Sequence, residues 1–199
     1  MRSRFTGEIC GFGTASGHRV IVGRWVTSPL GAFTDVMHEA PDGFRTLLAP
    51  NDAVAEFVSA TYTFDEVRIV PVVSARTSGG LHLDAGAIVA EVEYGSRNAT
   101  GRLLRCVPPP LARATWWCTV IDPIARVVMR GVRTRDTAGN GRREWYGATD
   151  AHRIAAVRCV IDGFDAGSLT DVWPAVRFGF GSTPRAPMVV AVTTTIVED

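Results

Sequence analysis

The residues best suited to acid–base chemistry lie in one stretch of the chain, residues 143–161. If this stretch is a strand, alternate side chains share a face, and one face carries Tyr146, Asp150 and His152. Asp150 and His152 would then form a carboxylate–imidazole pair, with Tyr146 as a proton donor or as the partner of an oxyanion. The spacing predicts a catalytic site if this face lines a cavity.

The opposite face of the same stretch competes for burial. It carries Trp145, Ala151, Val157, Cys159 and Ile161, which is the better composition for a protein core. This composition favours a strand whose apolar face is buried and whose polar face is in water. Both interpretations stay open, and the observation that decides between them is which face of residues 143–161 is buried.

The candidate ligand-binding residues are basic or aromatic and come from an unusually basic segment. Residues 102–143 hold nine Arg and two acidic residues, whereas acidic residues outnumber Arg on both sides of the segment. Guanidinium groups bind carboxylate and phosphate with two parallel hydrogen bonds, and neighbouring apolar side chains can cover an apolar tail. The predicted binding residues are Arg105, Arg113, Trp116, Trp117, Arg142 and Arg143.

Several other roles compete for this basic segment. The simplest is that its Arg side chains are solvated or pair with acidic groups elsewhere in the chain. Capture of an anionic ligand ranks second. Contact with an anionic membrane surface ranks third, because Pro108–Pro110 and Pro123 interrupt any long amphipathic helix. Nucleic acid is not an expected partner, because no recognition helix or RNA-binding strand motif accompanies the charge.

One absence excludes whole reaction classes. All 21 basic residues are Arg, and the chain contains no Lys. Schiff-base chemistry, attachment of pyridoxal phosphate and the ammonium group of a phosphate-binding loop all require a Lys. The side chains of this protein therefore support none of the three, and we expect no bound cofactor.

The histidines do not predict a metal site. The four of them lie in separate segments without the paired spacing that is typical of zinc ligands: His18, His38, His82 and His152. Folding could still bring Asp35 and His38 next to Asp150 and His152, which spacing alone does not reveal. The expectation is that no metal is bound.

Length and composition bound the protein class. The chain has 199 residues, 46% hydrophobic content and a net charge of +1, which suits a single domain over residues 1–199. The first residues lack the apolar run of a signal peptide, and the four Cys contain no Cys-x-x-Cys pair. These features predict a cytoplasmic protein with reduced thiols.

The elements that must position these residues are mostly strands. Hairpins are predicted around residues 13–17 and 40–43, a short helix after Asn51, and a turn at residues 138–141. Residues 101–130 have helical spacing broken by prolines. The sequence predicts a mainly β (α+β) fold, a single antiparallel β-barrel-like domain with a helical excursion at residues 101–130 that acts as a lid or plug. A β-sandwich with packed helices is the alternative.

Three functions are compatible with these patterns. The first is the binding of a small apolar or amphipathic ligand, including an anionic one, in a cavity of the barrel. The second is a cofactor-independent acid–base enzyme that acts on such a ligand. The third is an interaction protein that dimerises through the Trp/Arg helical segment. Monomer and homodimer remain equally open at this point.

Overall fold

The computed structural model describes residues 2–128, 134–137, 142–179 and 183–197. Its strands are β1 (Arg2–Thr14), β2 (Arg19–Thr27), β3 (Phe33–Glu39), β4 (Arg45–Ala49), β5 (Glu66–Ile69), β6 (Val73–Arg76), β7 (Gly80–Asp84), β8 (Ile88–Arg97), β9 (Arg135–Thr137), β10 (Arg143–Ile161), β11 (Phe164–Asp165), β12 (Leu169–Thr170) and β13 (Met188–Val197). Its helices are α1 (Asp52–Ser59), α2 (Ala99–Arg105), α3 (Pro109–Ala112) and α4 (Thr115–Val128).

All described strands belong to one curled sheet. Ten of them form a continuous path in the order β5-β4-β3-β2-β1-β13-β10-β8-β7-β6, while β9 and β11 pair with β10 and β12 pairs with β1. Every pairing is antiparallel except that of β4 with β5. The prediction of a mainly β, barrel-like fold is therefore confirmed, in the form of a curled half-barrel. The predicted hairpins β1–β2 and β3–β4 are both present.

The space between the two ends of the curled sheet is filled by a first apolar core. Side chains from one face of β1–β4, among them Phe12, Val22 and Leu48, pack with Leu81 and Leu83 of β7. Strands β4 and β7 are far apart along the sheet, so their membership of one core reflects the curl. Side chains of the described residues thus occupy this part of the interior.

The opposite face of β1–β4 packs against α1. Phe5, Phe33 and Leu47 form a second core with Val54 and Val58 of the helix. The helix begins as the sequence predicts, because the side chain of Asn51 accepts a hydrogen bond from the backbone N–H of Val54. This face of the sheet, and not the interior of the curl, carries the cavity described below.

The helical segment α2–α4 packs on β10. Gly101 sits so close to this strand that a Cβ atom there would lie 2.1 Å from the carbonyl oxygen of Ala151. The indole Nε1 of Trp145 donates to Thr119 Oγ1 in α4, at 3.0 Å. The helices therefore cover the face of β10 that carries Trp145, and their role as a lid or plug stays a prediction.

Two further points bear on the sequence-based expectations. The turn predicted at residues 138–141 lies outside the described residues. Among the residues that the structure describes, no helix has the length and apolar character needed to cross a membrane.

Candidate functional site

A cavity of about 70 Å³ lies between the sheet and α1. Its walls come from β1, β2, β3, β10 and β13, from α1, and from Tyr62, Phe178 and Thr183. Most lining side chains are apolar: Phe5, Ile9, Ile21, Trp25, Phe33, Met37, Phe57, Val58, Phe178 and Ile196. A volume of this size suits a small ligand rather than a lipid chain.

Asp35 is the first polar group of the cavity. It is 1% exposed, and its Oδ1 accepts a hydrogen bond from Trp25 Nε1 at 3.0 Å. Burial raises the pKa of the Asp35 carboxyl to about 7, against the opposing effect of the Trp25 hydrogen bond. Gly23 pairs with Asp35 across β2 and β3, and a Cβ at Gly23 would lie 2.7 Å from Asp35 Oδ1. The missing side chain at Gly23 therefore makes room for the carboxyl.

A hydrogen-bonded chain of three side chains forms the second polar group. Tyr62, just after α1, donates to Glu144 Oε1 at 3.0 Å, and the hydroxyls of Tyr62 and Tyr146 are 2.7 Å apart. Glu144 is fully buried at 0% exposure. Burial raises the pKa of the Tyr62 phenol well above its usual range, and Glu144 and Tyr146 add to the shift. Tyr62 therefore stays a neutral hydrogen-bond donor at physiological pH.

The phenolic and indole hydrogens of the cavity already have acceptors within the protein. A phenolic hydroxyl carries one hydrogen, and that of Tyr62 is donated to Glu144. Tyr146 must therefore be the donor in the contact between the two hydroxyls. The single N–H of the Trp25 indole is likewise directed to Asp35. The carboxyl of Asp35 can accept a further hydrogen bond when it is ionised, so the cavity favours a ligand that donates hydrogen bonds.

The hydroxyl group of Thr194 is a further polar group in the cavity wall. Its side chain lines the cavity, is 3% exposed, and within the described part of the chain its Oγ1 has no hydrogen-bond partner. Buried hydroxyls in native proteins are nearly always satisfied by protein, water or ligand. Thr194 therefore marks a point where a bound molecule would form a hydrogen bond.

The charges around the cavity are acidic. Asp35 and Glu144 line it, and none of the lining residues that the structure describes is Arg or His. Arg142 lies nearby, where its guanidinium donates to Thr61 Oγ1 at 2.8 Å and stacks over Phe57. The carboxyl of Asp35 has no guanidinium partner within the described part of the chain.

The predicted catalytic residues are not brought together. Tyr146 lines the cavity, whereas Asp150 and His152 do not. A β-bulge explains the separation: Ala148 pairs with Val192, but Asp150 pairs with the preceding residue, Ala191. Adjacent residues of β13 point to opposite faces, so the extra residue moves Asp150 and His152 to the face opposite Tyr146.

Asp150 and His152 have structural partners on that other face. Arg97 donates two hydrogen bonds to Asp150, at 2.8 and 2.9 Å, and Arg97 lowers the pKa of that carboxyl. His152 Nε2 lies 3.7 Å from Asp150 Oδ2, and its Nδ1 is 3.2 Å from the carbonyl oxygen of Gly95. An aspartate paired with a guanidinium stays ionised at neutral pH. Its pKa lies too far below neutrality for an efficient general acid or base.

The predicted ligand-binding residues also lie away from the cavity. Arg105, Arg113, Trp116 and Trp117 belong to the helical segment, and none of them is among the residues that line the cavity in the described part of the chain. Arg142 and Arg143 sit at the start of β10, where Arg143 stacks over Trp145 at 5.9 Å. The helices place their basic groups on the opposite side of β10 from Glu144 and Tyr146.

The four residues considered as metal ligands do not converge on one point. Asp150 and His152 are neighbours, whereas Asp35 lines the cavity and His38 stacks on His18, with 2.8 Å between His18 Nδ1 and His38 Nε2. Within the described ranges, no group of three or more His, Cys, Asp or Glu side chains is arranged to hold a metal ion.

Sequence reasoning did not name Tyr62 or Glu144 as site residues and considered Asp35 only as a possible metal ligand. For Asp35 a signal was present, because it stands between Phe33 and Met37 on one face of β3. Glu144 alternates with Tyr146 in the same way. A carboxyl in a predicted apolar face is unusual and indicates a functional candidate.

Comparison with known proteins gives little beyond the fold. No protein-family model matches the chain, and no curated protein matches it. Among solved structures, the chain is similar to an acetoacetate decarboxylase from Legionella pneumophila, with a TM-score of 0.46 and 10% sequence identity. The match covers 99% of this chain and 85% of that chain.

Proposed function

We propose that this protein binds a small molecule with an apolar body and a hydrogen-bond-donating group, neutral or cationic, in the cavity beside α1. The observation that carries the proposal is the pairing of an aromatic-lined cavity with two buried carboxyls, Asp35 and Glu144. Apolar walls supply affinity, while a few convergent polar groups orient a ligand. The unpartnered hydroxyl of Thr194 supports the same assignment.

The acidic cavity narrows the ligand class expected from the sequence alone. An anionic group would meet Asp35 and Glu144 without a lining guanidinium in the described residues to compensate it. An ammonium or hydroxyl group would instead donate to the carboxyl of Asp35. The proposed ligand is therefore an amine or an alcohol rather than a carboxylate or a phosphate.

Three molecules of matched size test this proposal: n-butylamine, 1-butanol and propionate, each added to uniformly ¹⁵N-labelled protein. We expect n-butylamine to shift the indole N–H resonance of Trp25, 1-butanol to bind more weakly, and propionate not to bind. A ceiling of about 1.5 kcal/mol per non-hydrogen atom limits such small ligands to dissociation constants above about 1 µM. Native mass spectrometry of the purified protein, compared with its denatured mass, would reveal a retained ligand.

Two variants make the titration specific. Asp35→Asn should abolish the preference for the amine over the alcohol, because the group that ionises is gone. Tyr94→Phe removes a phenol that does not line the cavity and should leave the titration unchanged. Tighter binding of propionate than of n-butylamine would refute the proposed ligand class, and no response of Trp25 to any of the three would refute binding at this cavity.

A second candidate function is acid–base catalysis on a small carbonyl compound bound in the same cavity. It is favoured by the Asp35 carboxyl, whose pKa of about 7 lets it accept and return a proton near neutrality. The reaction it supports most directly is removal of a proton from the carbon next to a carbonyl, with the Thr194 hydroxyl donating to the carbonyl oxygen. The carboxyl then exchanges that proton with solvent and returns a solvent hydrogen to the carbon, so the step is balanced as hydrogen exchange.

Butanone in deuterium oxide tests this second candidate. We expect the protein to accelerate exchange of the α-hydrogens for deuterium, as followed by ¹H NMR, with the rate rising as pH increases through about 7 because the ionised carboxyl is the base. Asp35→Asn should reduce the rate to that of buffer, while Asp52→Asn, at an exposed position, should not. Equal exchange rates for the unmodified protein and for Asp35→Asn would exclude Asp35 as the base.

A further inference from the structure

Helix α4 exposes an apolar stripe on the side that faces away from the sheet. Trp116 and Val120 are each 61% exposed, and Pro123 is exposed as well. Spacings of four and three residues place all three on one side of the helix. The opposite side faces β10, where Cys118 is 2% exposed. The stripe is therefore the outward face of a helix whose inner face is already buried.

Three arginine side chains lie at the Trp116 end of this stripe. Arg113 and Trp116, together with Arg2 and Arg4 of β1, line an open groove of about 540 Å³. All three arginines are exposed, and no acidic residue is among those that line the groove in the described part of the chain. The acidic residue of α4, Asp122, is 7% exposed and accepts hydrogen bonds from Thr134. The outward charge of this surface is thus positive.

We propose that this surface docks on an anionic lipid bilayer. We call it the Trp/Arg face and define it as Arg2, Arg4, Arg113, Trp116, Val120 and Pro123. A Trp indole partitions to the interface between headgroups and acyl chains, while guanidinium groups pair with lipid phosphates and carboxylates. The combination of an apolar helical stripe with three arginines at one end of it fits that chemistry. This assignment is independent of the cavity, which lies on the other side of β10.

Two other occupants fit less well. A two-fold contact between copies of this chain through the Trp/Arg face would bring Arg2, Arg4 and Arg113 of both copies together without acidic partners in the groove. Nucleic acid would satisfy the arginines but leave the aliphatic stripe at Val120 and Pro123 without a suitable contact, since bases stack on planar side chains. An anionic bilayer satisfies both the charge and the apolar stripe.

Sedimentation with lipid vesicles tests the proposal directly. The full-length protein is mixed with vesicles of phosphatidylcholine containing about 30% phosphatidylserine, or of phosphatidylcholine alone, in about 0.1 M salt. We expect the bound fraction to be at least about tenfold higher on the phosphatidylserine vesicles, and the difference to disappear in about 1 M salt. Equal binding to both vesicle types, or no binding to either, would overturn the proposal.

Matched variants distinguish vesicle binding through the Trp/Arg face from nonspecific adsorption. The double variant Trp116→Ser/Val120→Ser and the variant Arg113→Glu should each lose most of the binding. Trp173→Ser removes an indole of equal exposure, 61%, and Arg158→Glu reverses an exposed charge elsewhere. Both controls should bind as the unmodified protein does, and circular dichroism verifies that all variants are folded. Loss of binding in the controls as well would contradict the assignment.

Light scattering and a DNA titration test the two alternative occupants of this face, a second copy of the chain and nucleic acid. If the protein alone is a dimer that Trp116→Ser/Val120→Ser converts to a monomer, the face is a contact between copies and the lipid proposal fails. If a single-stranded oligonucleotide binds more tightly than the phosphatidylserine vesicles and Arg113→Glu abolishes that binding, the face is a nucleic-acid surface and the lipid proposal also fails. A monomer that binds vesicles and not the oligonucleotide supports it.

Discussion

Asp35→Asn is expected to stabilise the protein at about pH 8 and to leave it nearly unchanged near pH 4. In the folded state the pKa of Asp35 is about 7, against 3.8 for an exposed aspartate. Between these values the folded protein holds a proton that the unfolded chain releases. The free energy of unfolding therefore falls as the pH rises through this window, by on the order of 4 kcal/mol in total. Asn cannot ionise and escapes the loss, while its side-chain oxygen still accepts from Trp25.

Urea unfolding at intervals between about pH 4 and pH 8 measures this effect. The difference between Asp35→Asn and the unmodified protein should grow steadily with pH across the window. Asp52→Asn serves as the control, because Asp52 is exposed in the first turn of α1, and its curve should run parallel to that of the unmodified protein. A constant difference between Asp35→Asn and the unmodified protein over the whole range would show that Asp35 titrates normally.

The second large effect concerns Glu39, a buried carboxyl outside the cavity. Glu39 is 1% exposed and lies 3.3 Å from the guanidinium of Arg19, whose side chain is 5% exposed. It also accepts hydrogen bonds from the backbone N–H and the Nε of Arg177, at 2.8 and 3.0 Å. Glu39→Ala would leave the Arg19 guanidinium buried without its counter-charge. We expect a loss of about 3–5 kcal/mol in the free energy of unfolding, measured by chemical denaturation.

Two companion variants identify the cause of that loss. Arg177→Ala should cost less than about 1 kcal/mol, because the Arg177 side chain is 66% exposed and its ion pair is screened by water. The double variant Arg19→Met/Glu39→Leu removes both buried charges and should recover most of the stability lost in Glu39→Ala. If the double variant is no more stable than Glu39→Ala, the loss comes from packing around Glu39 rather than from the uncompensated charge.

The two buried carboxyls of β3 differ in their charged partners. Asp35 and Glu39 lie on the same strand and on the same face. Glu39 has two guanidinium partners, whereas Asp35 has none among the described residues and accepts from the Trp25 indole. A carboxyl paired with buried arginine is a structural feature. A carboxyl that is buried without a cation has a raised pKa and marks a candidate site.

The sequence correctly predicted those strands, turns and helix caps that are formed by interactions between residues close together in the chain. The apolar alternation of β1 to β4, the turn residues between these strands and the Asn51 cap of α1 act over a few residues. The strand at residues 143–161 was also predicted, and β10 spans Arg143–Ile161. These features need no partner from elsewhere in the chain, which is why the sequence sufficed.

The faces of β10 show where local patterns end. A strict alternation would place Tyr146, Asp150 and His152 together, but pairing with β13 inserts an extra residue between Ala148 and Asp150. A bulge arises from the register between two strands, and that register is set by contacts across the whole sheet. In the first half of β10, Trp145 packs against α4 on one face of the strand, and Tyr146 lines the cavity on the other face.

By itself, the sequence determined the strand-rich class, the position of the helical segment, the basic character of residues 102–143 and the exclusion of lysine-dependent chemistry. Only the tertiary structure decided that Asp35 and Glu144 line one cavity, that the arginines lie on another surface, and that an apolar core lies within the curl. The physical reason is that composition and periodicity act within a segment. A site instead depends on which distant strands become neighbours and in which register they pair.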